Sequence, residues 1–179
     1  MGGWQLDERM LGREYVYKGR VVSLRVDDVE LPNGKQTTRE VVEHPGAVAI
    51  LAHPQPDTVL LVRQFRYAVG EELLEIPAGK LDPEESPDAA AARELREETG
   101  YRAAHLTWLM ACYSTPGFSN ERLYLYRATD MRQGAVELDE DEFVECSEYG
   151  RADVEAMLGA GRIRDAKTLI ALLWWLNNP

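Results

Sequence analysis

Glu94, Glu97 and Glu98 stand at i, i+3 and i+4 in a segment that reads as a helix, so their carboxylates share one face. Like charges at these spacings oppose one another by roughly 0.2–0.5 kcal/mol per pair. Acids in a last helical turn also oppose the helix dipole. Two arrangements relieve such crowding. Arg93, Arg96 and Arg102 can form a surface salt-bridge cluster, or the oxygens can hold a hard divalent cation of the Mg²⁺ type. The helix has clear bounds. Ser86 offers a hydroxyl N-cap, Pro87 takes the first helical position, Asp88 puts an acid in the first turn and Gly100 supplies the stop. Ala89, Ala92, Leu95 and Thr99 recur at helical spacing and predict the face that packs on a sheet.

The elements that must position this helix are mostly strands. From Glu14 to Val42 the chain alternates, with Val22, Leu24 and Val26 on one side and Ser23 and Arg25 on the other. Pro32-Asn33-Gly34 breaks the run, and Gln36 to Val42 returns as the second arm of a hairpin. After His44-Pro45-Gly46, the apolar runs Ala47 to Leu51 and Thr58 to Val62 read as buried central strands, and Leu123 to Arg127 as another. Asp153 to Leu158 and Lys167 to Leu176 read as helices separated by Gly159-Ala160-Gly161. Trp174 and Trp175 are expected in a core or an interface. No internal repeat or low-complexity linker interrupts the chain.

The 179 residues, 45% of them hydrophobic, suffice for a substantial core without disulfides or a structural metal. A net charge of −11 argues against a broad electrostatic grip on nucleic acid, so any phosphate must be met locally. Cys112 and Cys146 lie far apart, and His44, His53 and His105 lack zinc-ligand spacing. Met1 to Glu8 has no basic and apolar signal pattern, and the longest apolar run, Leu169 to Leu176, is too short to span a bilayer. A reducing cytoplasm is the expected location.

Gly79, five residues, Glu85, seven residues, then Arg93-Glu94-Leu95-Arg96-Glu97-Glu98-Thr99-Gly100-Tyr101 is a spacing of high specificity. It resembles the Nudix box at every defining position, without insertion. The resemblance favours the cation over the salt-bridge cluster. It implies that Glu94 and Glu98 are the principal metal ligands, with Glu97 a further one, Glu85 a ligand or orienting group, and the Ala78 carbonyl turned to the metal. Arg93 would then orient the carboxylates and not act as a catalyst. The implied cofactor is Mg²⁺, with Mn²⁺ as a substitute.

Further segments resemble the ADP-ribose pyrophosphatase branch: Arg63-Gln64-Phe65-Arg66, Glu75 to Leu81, Thr115-Pro116-Gly117-Phe118, Asp139 to Phe143, and the hairpin with Leu31 to Lys35 and Arg39 to Val42. That likeness implies an α+β Nudix fold, an α/β/α sandwich with a mixed central sheet, plus an N-terminal antiparallel sheet. Residues 1–43 would form a β-hairpin and dimerisation region, and residues 44–179 the hydrolase domain. The implied reaction splits ADP-ribose into AMP and ribose 5-phosphate, with Mg²⁺ bridging the pyrophosphate and lowering the pKa of an attacking water. The water is expected to be oriented from the acidic loop, by Glu142 first and Glu140 second.

Arg66 is expected on the diphosphate or its ribose. Arg39, Pro116, Gly117 and a base-stacking Tyr17 or Tyr15 are the further substrate candidates, in a homodimer that exchanges its N-terminal sheet. Pro116-Gly117 also reads as an ordinary turn, and the tyrosines as plain packing residues. Two alternatives stand beside this. One is a pyrophosphatase acting on another nucleoside diphosphate sugar or an oxidised nucleotide. The other is a non-catalytic ADP-ribose-binding module, against which the intact Glu94, Glu97 and Glu98 argue.

Overall fold

The computed structural model describes residues 6–135 and 143–178. The chain divides into two compact units: Met1–Gly46 with Tyr113–Arg122, and Ala47–Cys112 with Leu123–Pro179.

In the first unit β1 (Arg9–Lys18), β2 (Ser23–Glu30) and β3 (Gln36–Glu43) form an antiparallel meander in that order. The expected hairpin is β2–β3, closed through Glu30 and Gln36 with Gly34 at φ 80° in the turn. A strand precedes it, beginning at Arg9 and not at Glu14. Register shifts between Met10 and Gly12 and between Tyr15 and Tyr17 break the two-residue alternation of β1. The segment 113–122 closes on the end of β3: the Val42 N–H donates to the Phe118 carbonyl at 2.8 Å, and the His44 N–H to Asn120 Oδ1 at 2.8 Å.

The second unit carries β4 (Ala47–Ala52), β5 (Thr58–Arg66), β6 (Glu71–Glu75), β7 (Ala78–Lys80), α1 (Pro87–Thr99), β8 (Tyr101–Tyr113), β9 (Arg122–Gln133), β10 (Val144–Gly150), α2 (Arg151–Gly159) and α3 (Ala166–Asn177). One sheet runs β7-β4-β9-β8 and is mixed, since β4 is parallel to β9 and antiparallel to β7. A second, β10-β5-β6, is antiparallel. Every residue of β4 is buried, because both of its faces are covered. Val48 and Ile50 pack with Ala90, Ala91 and Leu95 of α1, while Ala49 and Leu51 pack with Val154 and Met157 of α2 and with Leu172 and Trp175 of α3. Helices on both sides of the sheets make this an α+β sandwich of the expected kind.

One expectation about α1 is corrected. Ala89 and Ala92 are exposed, and the buried face is Ala90, Ala91, Glu94, Leu95, Glu98 and Thr99. Small apolar residues on several sides of a helix leave its orientation open. Ala90, Ala91 and Leu95 turn to Val48 and Ile50 of β4, and Glu94 and Glu98 turn to β7.

Candidate active site

Strand β7 is three residues long and pairs with β4 through Val48 and Gly79. Gly79 has no side chain, and the carboxylate of Glu94 fills the space beside it; a Cβ built there would overlap that carboxylate outright. One residue earlier, the Ala78 N–H donates to Glu98 Oε2 at 2.9 Å. Both acids are therefore docked on the strand from α1, with Glu94 7% and Glu98 4% exposed. The helix that delivers them is capped as its sequence predicts. Ser86 accepts from the Ala89 N–H, and Gly100 adopts the left-handed conformation at φ 75°.

Arg93 gathers the remaining acids. Its Nε and Nη2 reach Glu85 Oε1 and Oε2 at 3.0 and 2.8 Å, its Nη1 reaches Glu94 at 2.7 Å and Glu97 at 3.0 Å, and Nη2 also reaches the Lys80 carbonyl at 3.1 Å. The Glu85 hydrogen bonds chiefly, against the opposing effect of burial and with help from Glu94 and Glu97, hold the guanidinium still more firmly protonated than usual. The same bonds keep the Glu85 carboxyl below its ordinary range. Glu85 is aimed by its own turn: its N–H donates to the Asp82 carbonyl at 3.1 Å, while its Oε2 accepts from the Asp82 N–H at 3.2 Å. Arg96 holds Glu97 Oε1 at 2.9 Å.

Part of the crowding on α1 is thus relieved by arginines, as the salt-bridge reading requires. Among the described residues no three acidic, histidine or cysteine side chains converge as a ready metal-ligand set. The donor chemistry nonetheless fits a hard cation. Two carboxylates one helical turn apart are almost fully buried, and the glycine cradle beside Glu94 leaves its oxygens room that any other residue would take.

Arg66 closes β5 beside this cluster. Its Nε and Nη2 form a two-pronged pair with Glu75 Oε1 and Oε2, both at 2.7 Å. The Glu75 hydrogen bonds favour its charged form most, burial opposes, and Glu75, Glu98 and Asp165 add through their charge. Glu75 itself is 1% exposed. Burial pushes its carboxyl up, but Arg66 and Lys167 together outweigh burial and hold it below the ordinary range. The Cys146 thiol is pushed up to about 11, by burial foremost and then by Glu98 and Glu148. Glu75 and Lys167 were not singled out as functional from the sequence, although an acid beside the apolar Ile76-Pro77 pair was the available signal.

The other candidates belong to other parts of the chain. Arg39, Tyr17, Pro116 and Gly117 belong to the first unit. There Arg39 Nε and Nη2 bind Glu8 at 2.9 and 2.6 Å, Tyr17 is exposed, and Pro116-Gly117 sits in a turn in which the Thr115 carbonyl accepts from the Phe118 and Ser119 N–H groups. Tyr15 donates to Glu43 at 3.0 Å, with the Lys18 ammonium 4.2 Å above its ring. Glu140 and Glu142 fall outside the described residues. A groove of about 580 Å³ between β5, β6, β10 and α2, lined by Arg63, Leu74, Tyr149, Met157 and Arg162, contains none of the candidates.

The NUDIX domain model matches residues 42–172, and the model of the nucleoside diphosphate sugar hydrolase N-terminal domain matches residues 8–42. The chain belongs to the NUDIX domain family. It is 44% identical to an ADP-ribose pyrophosphatase of Bacillus subtilis (strain 168), over 93% of this chain and 91% of that protein. A methanol dehydrogenase activator of Bacillus methanolicus is 42% identical over 95% and 93% of the two chains. Among solved structures, a crystal structure of an ADP compounds hydrolase superposes with a TM-score of 0.85 at 26% identity, covering 99% of this chain and 95% of the other. No helix among the described residues is long and apolar enough to cross a membrane.

Proposed function

We propose that this chain hydrolyses the pyrophosphate bond of ADP-ribose, releasing AMP and ribose 5-phosphate, with Mg²⁺ as its metal. The observation that carries the reading is the docking of two buried carboxylates on one strand, Glu94 in the space Gly79 leaves and Glu98 on the Ala78 N–H. The near full-length likeness to an ADP-ribose pyrophosphatase supports the substrate.

Glu94 and Glu98 would hold the metal, with Glu97 beside them and Glu85 fixing the arginine that orients the set. Bound Mg²⁺ supplies charge neutralisation at the pyrophosphate and a more acidic water. The chain's own contribution is positional. Gly79 and the Ala78 N–H keep the carboxylates aimed, so little reorganisation remains when substrate arrives. Arg66, held by Glu75, offers its guanidinium to the diphosphate, for which a planar fork is well shaped. Glu142, with Glu140 second, takes the proton from the attacking water. Arg39, Pro116, Gly117 and Tyr17 bind the adenosine side. The first 43 residues form the exchanged sheet of a cytoplasmic homodimer. Exposed Met10, Leu11, Val16 and Val21 on and beside that sheet support such a contact.

A second reading, hydrolysis of another nucleoside diphosphate sugar, is favoured by the match of residues 8–42 to a domain named for that wider class. Turnover of ADP-ribose, ADP-glucose, GDP-mannose and 8-oxo-dGTP with Mg²⁺ and with EDTA separates the two. ADP-ribose should give the highest kcat/KM, and EDTA should abolish the reaction; equal or better turnover of a competitor removes the substrate assignment.

A further inference from the structure

Glu75 is the most deeply buried acid among the described residues, and it is grasped from two elements. Arg66, at the end of β5, takes both of its oxygens, and the Lys167 ammonium on the first turn of α3 takes Oε2 as well. Lys167 is 12% exposed and lies 3.0 Å from Asp165 Oδ1. Asp165 in turn caps α3, accepting from the Thr168 N–H at 3.0 Å and the Thr168 hydroxyl at 2.6 Å. Thr168 Oγ1 then accepts the N–H of Ile76, the residue next to Glu75, at 2.9 Å. The start of α3 is therefore joined to the chain that leads into Ala78 and Gly79.

A lysine is poorly placed there on local grounds. The first turn of a helix repels cations, and a nearly buried ammonium loses hydration, so its position depends on Glu75 and Asp165. Neutralising Glu75 does not require it either, because Arg66 already forms a complete two-pronged pair. With Asp165 Oδ1 3.0 Å from the Lys167 ammonium the four charges balance, so what Lys167 adds is a second anchor that fixes the Glu75 carboxylate and, through it, the Arg66 fork.

We infer that Lys167 is a positioning residue for substrate, holding Glu75 so that the Arg66 fork is fixed in orientation toward a diphosphate. This rests on the reading of Arg66 as the diphosphate ligand. The proposed roles of Glu94 and Glu98 do not require it.

The test is a double-mutant cycle on the full chain with Mg²⁺, using whichever of the three nucleoside diphosphate sugars above is turned over fastest. Lys167→Met should raise KM about tenfold while kcat stays within about threefold, and Lys167→Arg should restore most of the loss. In an Arg66→Ala background Lys167→Met should have almost no further effect on KM. The same KM increase in both backgrounds, or a loss confined to kcat, overturns the inference. If Lys167→Met unfolds at the assay temperature, Lys167→Gln takes its place in the cycle; failure of both to fold assigns Lys167 to stability and also overturns it. A wild type inactive on ADP-ribose but active on a competitor removes the substrate assignment and leaves the cycle readable. If none is turned over, calorimetric Kd values for ADP-ribose in EDTA serve as the cycle's readout, and binding independent of Arg66 counts against the inference.

Discussion

Gly79 and Glu94 occupy complementary space: the carboxylate of the helix residue lies where the side chain of the strand residue would otherwise be. A methyl group at position 79 must therefore push the carboxylate away or lift α1 from β7. Gly79→Ala should lower Mg²⁺-dependent kcat/KM by about 100-fold or more, since misplacement by about 1 Å is costly at such sites. The fold should survive, because Val48, Ile50, Ala91 and Leu95 hold α1 in place independently. Circular dichroism and activity measured on the same sample check both halves; an active Gly79→Ala would show that Glu94 needs no such placement.

Glu98→Gln keeps an oxygen for the Ala78 N–H and removes the charge. Turnover should fall by about two to four orders of magnitude, given what metal-bound chemistry contributes, with little change in Tm. An independent signal is available at Cys146. Burial dominates its raised pKa, but Glu98 is the next cause, so the variant's thiol should alkylate faster at pH 9 than the wild type's. Undiminished turnover would remove Glu98 from the metal set. An unchanged alkylation rate would separate the two groups electrostatically.

Arg93→Lys preserves charge and discards the fork that reaches Glu85, Glu94 and Glu97 together. Loss of such orienting partners typically weakens metal binding about 10- to 100-fold, so the Mg²⁺ concentration giving half-maximal activity should rise by that factor. Saturating Mg²⁺ should recover most of kcat. A variant with an unaltered Mg²⁺ requirement would confine Arg93 to a stabilising role.

Much of this site was legible in residue order because a helix converts spacing into geometry. Glu94 and Glu98 had to share a face, and the Ser86 and Gly100 signals bounded the helix that carries them. The direction of that face was not legible. Ala89, Ala90, Ala91 and Ala92 make several sides of α1 equally acceptable to a core, and the choice rests on contacts with β4 and with β7, a strand of three residues that has no periodicity to read. β6 was missed for a related reason: Glu71-Glu72-Leu73-Leu74-Glu75 has weak strand propensity and is held by pairing with β5. Lys167 and Glu75 are 92 residues apart in sequence, and only the packing of α3 reveals that they meet.

The pH dependence of stability should report on Glu75. Its folded carboxyl lies below the ordinary value of 4.5, because Arg66 and Lys167 outweigh burial. A carboxylate with a depressed folded pKa contributes stability that is fully present above its unfolded value and is lost as pH falls through the folded value. Each unit of depression corresponds to about 1.4 kcal/mol. Between pH 7 and about 5 this group should therefore leave the urea midpoint nearly unchanged, with a decline setting in below about 4.5. Glu75→Gln should be less stable at pH 7, since it leaves Arg66 and Lys167 without the negative charge they share, and it should lose less on acidification. Urea unfolding of both proteins at pH 7, 4.5 and 3.5 measures this. Converging stabilities toward low pH are expected; parallel curves would mean that Glu75 titrates alike in the folded and unfolded chains.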